Sequence, residues 1–173
     1  CDGVFSDDTV ANNTTTAGGG VEMRWDSAPT LVNTLVSDNQ GMGLFIRGSD
    51  PRIKHATVAR NGGYGLYVDE DGVHASTVRL TNTILVSHTV GIHVAAGNSA
   101  TLESTLWGSG AWGNGADWSG GGTIVTGTPN IWGDPHFVDA DAGDYHIETC
   151  SPAADAGVDA GVTHDIDGEP RPM

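Results

Sequence analysis

A threonine followed by an aliphatic residue recurs along the chain at Thr9-Val10, Thr34-Leu35, Thr57-Val58, Thr83-Ile84 and Thr105-Leu106, at intervals of 25, 23, 26 and 22 residues. An interval that short cannot enclose a domain. Each is one supersecondary unit that buries its apolar face only by stacking on its neighbours, which is the definition of a solenoid. After each Thr-aliphatic strand comes a polar corner and then a Gly-led alternating segment: Gly20-Val21-Glu22-Met23, Gly43-Leu44-Phe45-Ile46, Gly65-Leu66-Tyr67-Val68 and Gly91-Ile92-His93-Val94. Period-two alternation sends Val21, Leu44, Leu66 and Ile92 inward, with Met23, Ile46, Val68 and Val94 beside them. Glu22, Phe45, Tyr67 and His93 then stand outward in a column.

The corner between the two strands carries Asn13, Asn39 and Asn61, with Ser87 or His88 in the fourth coil. Stacked Asn side chains at a solenoid corner hydrogen-bond along the axis and tolerate left-handed backbone, so they read as structural. With 26 Gly in 173 residues and few charged helix formers, the connections are expected to be turns and not helices. Parallel strands stacked without intervening helices describe an all-β, single-stranded right-handed parallel β-helix of about five to six coils, the handedness following from the rule for parallel crossovers. The coils are expected over residues 1–127. The pattern degrades in the Gly-rich run from Trp107 to Trp118, and residues 128–173 are expected to form an irregular cap over the C-terminal end, where unpaired strand edges need cover.

Charge excludes some partners. Twenty-two acidic residues against seven Lys plus Arg repel nucleic acid and anionic membranes, and no apolar run approaches the roughly 20 residues that span a bilayer. The acidic turns Asp69-Glu70-Asp71-Gly72, Asp139-Ala-Asp141-Ala-Gly-Asp144 and Asp165-Ile-Asp167-Gly168 are the candidate cation sites, with Asp139, Asp141, Asp144, Asp165 and Asp167 as ligands and Ca²⁺ as the ion. Turn initiation and solubility explain the same residues. Two cysteines, Cys1 and Cys150, allow one bridge. Five coils at one strand spacing each separate the ends of the solenoid by roughly 24 Å, so an intramolecular bridge requires the tail to run back along the body. The alternatives are a link between copies and, for Cys1, lipidation.

The outward threonines Thr34, Thr57, Thr83 and Thr105 bring no carboxylates together, and Lys54, His55, Arg60 and Glu103, the groups an eliminating enzyme would need, are spread over three coils. Trp107, Trp112, Trp118 and Trp132 either stack on sugar rings or pack under the end.

The motifs Trp112-Gly-Asn-Gly, Gly133-Asp-Pro-His-Phe137, Gly143-Asp-Tyr-His-Ile-Glu148, Ser151-Pro-Ala-Ala-Asp-Ala-Gly157 and Asp165-Ile-Asp-Gly-Glu-Pro-Arg171 resemble the C-terminal end of the bacterial β-helix surface proteins labelled choice-of-anchor Q. The resemblance implies secretion and display at the cell surface and no particular chemistry, since the fold also hosts polysaccharide lyases, hydrolases and adhesins. The chain starts at Cys1 without a cap and stops at Met173, so both ends are expected to be exposed. Head-to-tail self-association, with Leu44, Leu66, Ile92 and the Asn corner as its ladders, is one expectation; neighbouring coils of a longer chain are the other.

Overall fold

The computed structural model describes residues 2–14 and 18–171. In chain order the strands are β1 (Val4–Ser6), β2 (Thr9–Ala11), β3 (Gly19–Ser27), β4 (Thr30–Val32), β5 (Leu35–Ser37), β6 (Met42–Ser49), β7 (Arg52–Lys54), β8 (Thr57–Ala59) and β9 (Tyr64–Asp69). They continue with β10 (Thr77–Val86), β11 (Val90–Val94), β12 (Ser99–Gly108), β13 (Ala116–Ser119), β14 (Thr123–Thr126), β15 (Asn130–Gly133), β16 (Phe137–Asp139) and β17 (Asp144–Ile147). The first fifteen pair in parallel and wind into three faces of a right-handed β-helix of about five coils. The first face holds β1, β4, β7, the start of β10, the start of β12 and β14. The second holds β2, β5, β8, the end of β10, the end of β12 and β15. The third is β3-β6-β9-β11-β13.

Side chains pile into columns inside this tube because parallel strands in register repeat the same orientation coil after coil. Leu44 pairs with Leu66 and Leu66 with Ile92 on the third face, and all three are fully buried. Leu31, Ile53, Leu80 and Leu102 do the same on the first face. On the second, Val10, Val36, Val58, Leu85 and Trp107 form the inward column.

Two corners flank the second face, and each is a single residue in left-handed backbone. The first is the column Asp7, Asn33, His55, Asn82 and Ser104, with φ of 59°, 48°, 50°, 54° and 53°. The second is Asn12, Asp38, Arg60 and Ser87, with φ of 58°, 54°, 55° and 60°. Left-handed backbone costs an L-residue about 1–2 kcal/mol, least for Asn and Asp, which accounts for the polar character of these positions.

These corners shift the threonine motif out of register. Thr34, Thr57, Thr83 and Thr105, expected to face outward together, are separated: Thr57 pairs with Leu35 and Ile84, whereas Thr83 pairs with Thr105. Thr34, Thr83 and Thr105 directly follow the first corner and are buried, and the hydroxyls of Thr83 and Thr105 have no partner. The true outward column of the second face is Thr9, Leu35, Thr57, Ile84, Leu106 and Ile131.

Just inside the second corner runs a hydrogen-bonded ladder, exposed at its Asn13 end and buried at Asn39, Asn61 and His88. Asn13 N–H and Nδ2 donate to Asn39 Oδ1 at 3.0 and 2.8 Å, and Asn39 N–H and Nδ2 donate to Asn61 Oδ1 at 3.1 and 2.8 Å. Asn61 Nδ2 meets His88 Nε2 at 3.3 Å, and His88 Nδ1 meets Asn114 Oδ1 at 3.2 Å. Every donor in this chain points one way, so His88 carries its proton on Nδ1 and accepts at Nε2. Burial holds its pKa down to about 4. The glycines opposite are there for contact: a Cβ on Gly65 would lie 2.6 Å from the Gly91 carbonyl oxygen and 2.9 Å from the His88 ring.

Candidate functional site: one strapped face and one open face

Stacking continues to Gly133, where β15 pairs with the end of β12. The chain expected to cover the C-terminal end then leaves it and returns along the second face. The antiparallel hairpin β16–β17 docks on the second corner: Tyr145 Oη donates to Asp38 Oδ2 at 2.6 Å, and Arg60 bridges Asp38 at 3.0 Å and Asp141 at 2.7 Å. Burial and the Asp38 carboxylate push the Tyr145 phenol up, keeping it a donor. Beyond the hairpin, residues 156–171 descend the first corner. Ser104 Oγ donates to Ala156 O, Asn82 Nδ2 to Val158 O, Lys54 Nζ to Ala160 O and Asn33 Nδ2 to His164 O, all within 2.7–2.9 Å. Val158 N–H returns a bond to Asn82 Oδ1 at 2.8 Å, and Arg171 Nη2 reaches Asn33 Oδ1 at 3.3 Å. Half-buried Ala156, Val158, Ala160 and Val162 alternate with exposed Gly157, Asp159, Gly161 and Thr163.

Three of the four side chains an eliminating enzyme would need are engaged in these contacts or beside them. Lys54 holds the strap, Arg60 holds the hairpin, and His55 accepts at Nε2 from Asn82 Nδ2 at 3.1 Å, burial keeping its pKa near 4. Glu103 lies one strand position before Ser104 on the first face and belongs to none of these contacts. Between strap and sheet is a cleft of about 530 Å³ whose floor is Thr57, Ile84, Leu106 and Ile131.

The five aspartates do not converge. Asp139 Oδ1 accepts from Ala142 N–H, Asp141 pairs with Arg60, and Asp165 Oδ1 accepts from the N–H groups of Asp167 and Glu169. Asp144 and Asp167 do meet, but around His146, at 2.5 and 2.6 Å from its two ring nitrogens. Hydrogen bonds to these carboxylates raise the His146 pKa, and the backbone N–H and side chain of His146 lower that of Asp144. The result is a clamp between hairpin and strap. Cys150 is exposed and forms no disulfide with a described residue, and Cys1 lies outside the described residues.

The third face stays open. Its outward column stacks on itself because the strand spacing matches the thickness of a ring pair. Phe45 and Tyr67 lie 5.8 Å apart, and Tyr67 and His93 4.7 Å apart with planes at 13°. Tyr64 packs edge-on against both Tyr67 and His93. The Arg24 guanidinium covers Phe45 at 4.9 Å. Ring faces used in this way are not free for a ligand.

Trp25 differs. The β3–β6 register shifts between Arg24 and Ser27, Trp25 and Asp26 take φ of 60° and 52°, and the Trp25 side chain is left 79% exposed. A bulky residue in this backbone region is strained. Trp25, Arg24, Arg47 and Asp71 line a concavity of about 150 Å³. Arg47 Nε donates to Glu70 O, Arg24 Nε pairs with Glu22 at 2.9 Å, and Asp71 Oδ1 accepts from Val73 and His74 N–H, which holds its pKa below the usual carboxylate value. Of the four tryptophans marked in the sequence, Trp107 is buried, Trp112 packs on Phe137, and Trp118 and Trp132 are partly exposed at the C-terminal end, where Trp132 Nε1 donates to Asp117 at 2.8 Å.

The family of right-handed β-helix regions matches residues 1–106. The chain belongs to the right-handed β-helix family. No curated protein and no solved structure matches it. The matched span ends inside β12 of the β-helix, so the last strands, the hairpin and the strap all lie beyond it. Among the described residues no helix is long and apolar enough to cross a membrane.

Proposed function

We propose that this β-helix is a structural and adhesive module displayed outside a bacterial cell, and that it holds an uncharged polysaccharide at the Trp25 corner. The carrying observation is Trp25 itself: an indole left 79% exposed at a strained bulge, set beside two guanidinium groups and a carboxylate on a side the strap does not cover. An indole face stacks on the apolar side of a pyranose, and Arg and Asp bind adjacent hydroxyls. The net charge of −15 disfavours polyanions, which is why the sugar is uncharged. Lys54 serves the strap and Arg60 the hairpin, which favours binding over elimination.

Affinity electrophoresis through gels carrying neutral or uronate polysaccharides tests this. Retardation by a neutral glycan, lost in Trp25→Ala at unchanged melting temperature, is the expected result. Equal mobility in every gel refutes it, and release of reducing or unsaturated sugars by the protein would replace it with an enzymatic reading.

End-to-end association is a second reading. Val4 and Phe5 on β1, and Val125, Trp118 and Trp132 on the last coil, are large apolar side chains exposed beside strand edges with no further coil described. Electron microscopy of the purified chain at high concentration shows filaments if copies stack through these edges, and isolated particles if they do not.

A further inference from the structure

We infer that His136, Glu148 and Cys150 form a transition-metal site, of the zinc class, that clasps the open end of the β16–β17 hairpin. The three side chains offer an imidazole nitrogen, a carboxylate oxygen and a sulfur that all lie within 4.8 Å of one another. The hairpin puts them there. Phe137 pairs with Ile147, and Glu148 N–H donates to His136 O at 2.9 Å, so His136 and Glu148 are cross-strand neighbours. Ser151 N–H donates to Glu148 O at 3.0 Å, a turn that folds Cys150 back onto the pair. Its Sγ sits 3.5 Å from Glu148 Oε2. His136 itself is in left-handed backbone, φ 50°, with its N–H bonded to Asp134 Oδ1 at 2.8 Å, so a local turn fixes where its ring starts.

Zinc bound by sulfur at about 2.3 Å and by nitrogen and oxygen at about 2.0–2.2 Å in a tetrahedron requires ligand separations of about 3.3–3.7 Å. The sulfur and carboxylate already meet that, and rotation of exposed side chains closes the rest. A thiolate with an imidazole selects zinc-class ions over Ca²⁺, which takes six to eight oxygens. Three protein ligands leave a fourth position for water. The ligands are separated along the chain and come together only in the fold, so the ion stabilises the hairpin by mass action: at a hundredfold excess over the dissociation constant the folding equilibrium moves about a hundredfold. The hairpin anchors the strap, so the ion reinforces the covered face.

The experiment uses the reduced full chain freed of metal and titrated with Co²⁺, whose bond to a thiolate gives a charge-transfer band in the near ultraviolet. A band that saturates at one ion per chain, is bleached by Zn²⁺, disappears in Cys150→Ser and persists in Cys1→Ser and His146→Ala is the expected result. Zn²⁺ then raises the melting temperature of the wild type and leaves that of His136→Ala unmoved. Absence of the band, its survival in Cys150→Ser, or its loss in Cys1→Ser overturns the site.

Discussion

Replacing Asn61 by alanine tests whether the polar ladder holds the coils together. The Asn61 side chain makes four bonds inside the tube: it accepts at Oδ1 from Asn39 N–H and Nδ2 and donates from Nδ2 to Val36 O at 2.9 Å and to His88 Nε2 at 3.3 Å. Each is worth about 1 kcal/mol net, and the groups left behind stay buried, so Asn61→Ala is expected to cost about 4 kcal/mol. That is a large part of the 5–15 kcal/mol typical of a domain. Asn13→Ala is the matched control. It occupies the end rung, is exposed, and gives up little more than the 2.8 Å bond to Asn39, so its cost is about 0.5 kcal/mol. Urea unfolding followed by circular dichroism reads both. A cost for Asn61→Ala below about 1 kcal/mol, or equal to that of Asn13→Ala, would show that the aliphatic columns alone carry the stack. The double variant Asn39→Ala, Asn61→Ala should cost about 1 kcal/mol less than the sum of the singles, because one side-chain bond is counted in both.

The folded-state pKa of His88 lies below its unfolded value, so the neutral ladder stabilises fully above about pH 6.5 and that contribution is lost as the pH falls toward 4, a change of about 3 kcal/mol over 2.5 units; His88→Asn, which copies the neighbouring rungs, should make the pH–stability curve shallower in this window, leaving the part due to His55 and the opposing part due to His146, whose pKa is raised. Thr105→Val keeps the shape and removes an orphaned buried hydroxyl, so thermal or urea unfolding should show a gain of about 1 kcal/mol; a loss would mean that the hydroxyl has a partner. Asn82→Ala removes both bonds to Val158, and hydrogen exchange should speed up across residues 156–171 while β10 and β12 stay protected.

The aliphatic columns are visible in the sequence because strand alternation and the opposing glycines recur around Leu44, Leu66 and Ile92. The threonine column is not, although its motif is more regular. Thr34, Thr83 and Thr105 immediately follow a left-handed corner, whereas Thr9 and Thr57 stand two residues beyond theirs, and a shift of one residue turns a β-strand side chain to the opposite face. Aligning the corner residues Asp7, Asn33, His55, Asn82 and Ser104 first gives inward positions Val10, Val36, Val58, Leu85 and Trp107, at intervals of 26, 22, 27 and 22. The strap has its own signal, the run Ala156-Gly-Val-Asp-Ala160-Gly-Val-Thr163, which alternates small and apolar residues as an extended segment lying on a surface does. Its destination is set by bonds spanning more than a hundred residues, such as the pairing of Asn33 with His164 and Arg171, and no local pattern carries that. The convergence of His136, Glu148 and Cys150 depends likewise on a cross-strand register.

The left-handed corners explain why the strap lies where it does. A stack of coils has nearest-neighbour stability and can fray from either end. The outward column Leu35, Ile84, Leu106 and Ile131 adds an apolar stripe that water disfavours. Covering the stripe needs a segment with its own polar groups satisfied, and side chains at or next to the two corners beside it supply partners in successive coils, because a single-residue bend turns a polar side chain outward. Each strap bond ties a different coil to the same segment: Ser104, Asn82, Lys54 and Asn33 in succession. Fraying of one coil then disturbs bonds to the others, so the strap converts additive coils into one cooperative unit. The same bonds commit Lys54 and Arg60 to structure, and the Trp25 concavity on the third face lies outside the strap.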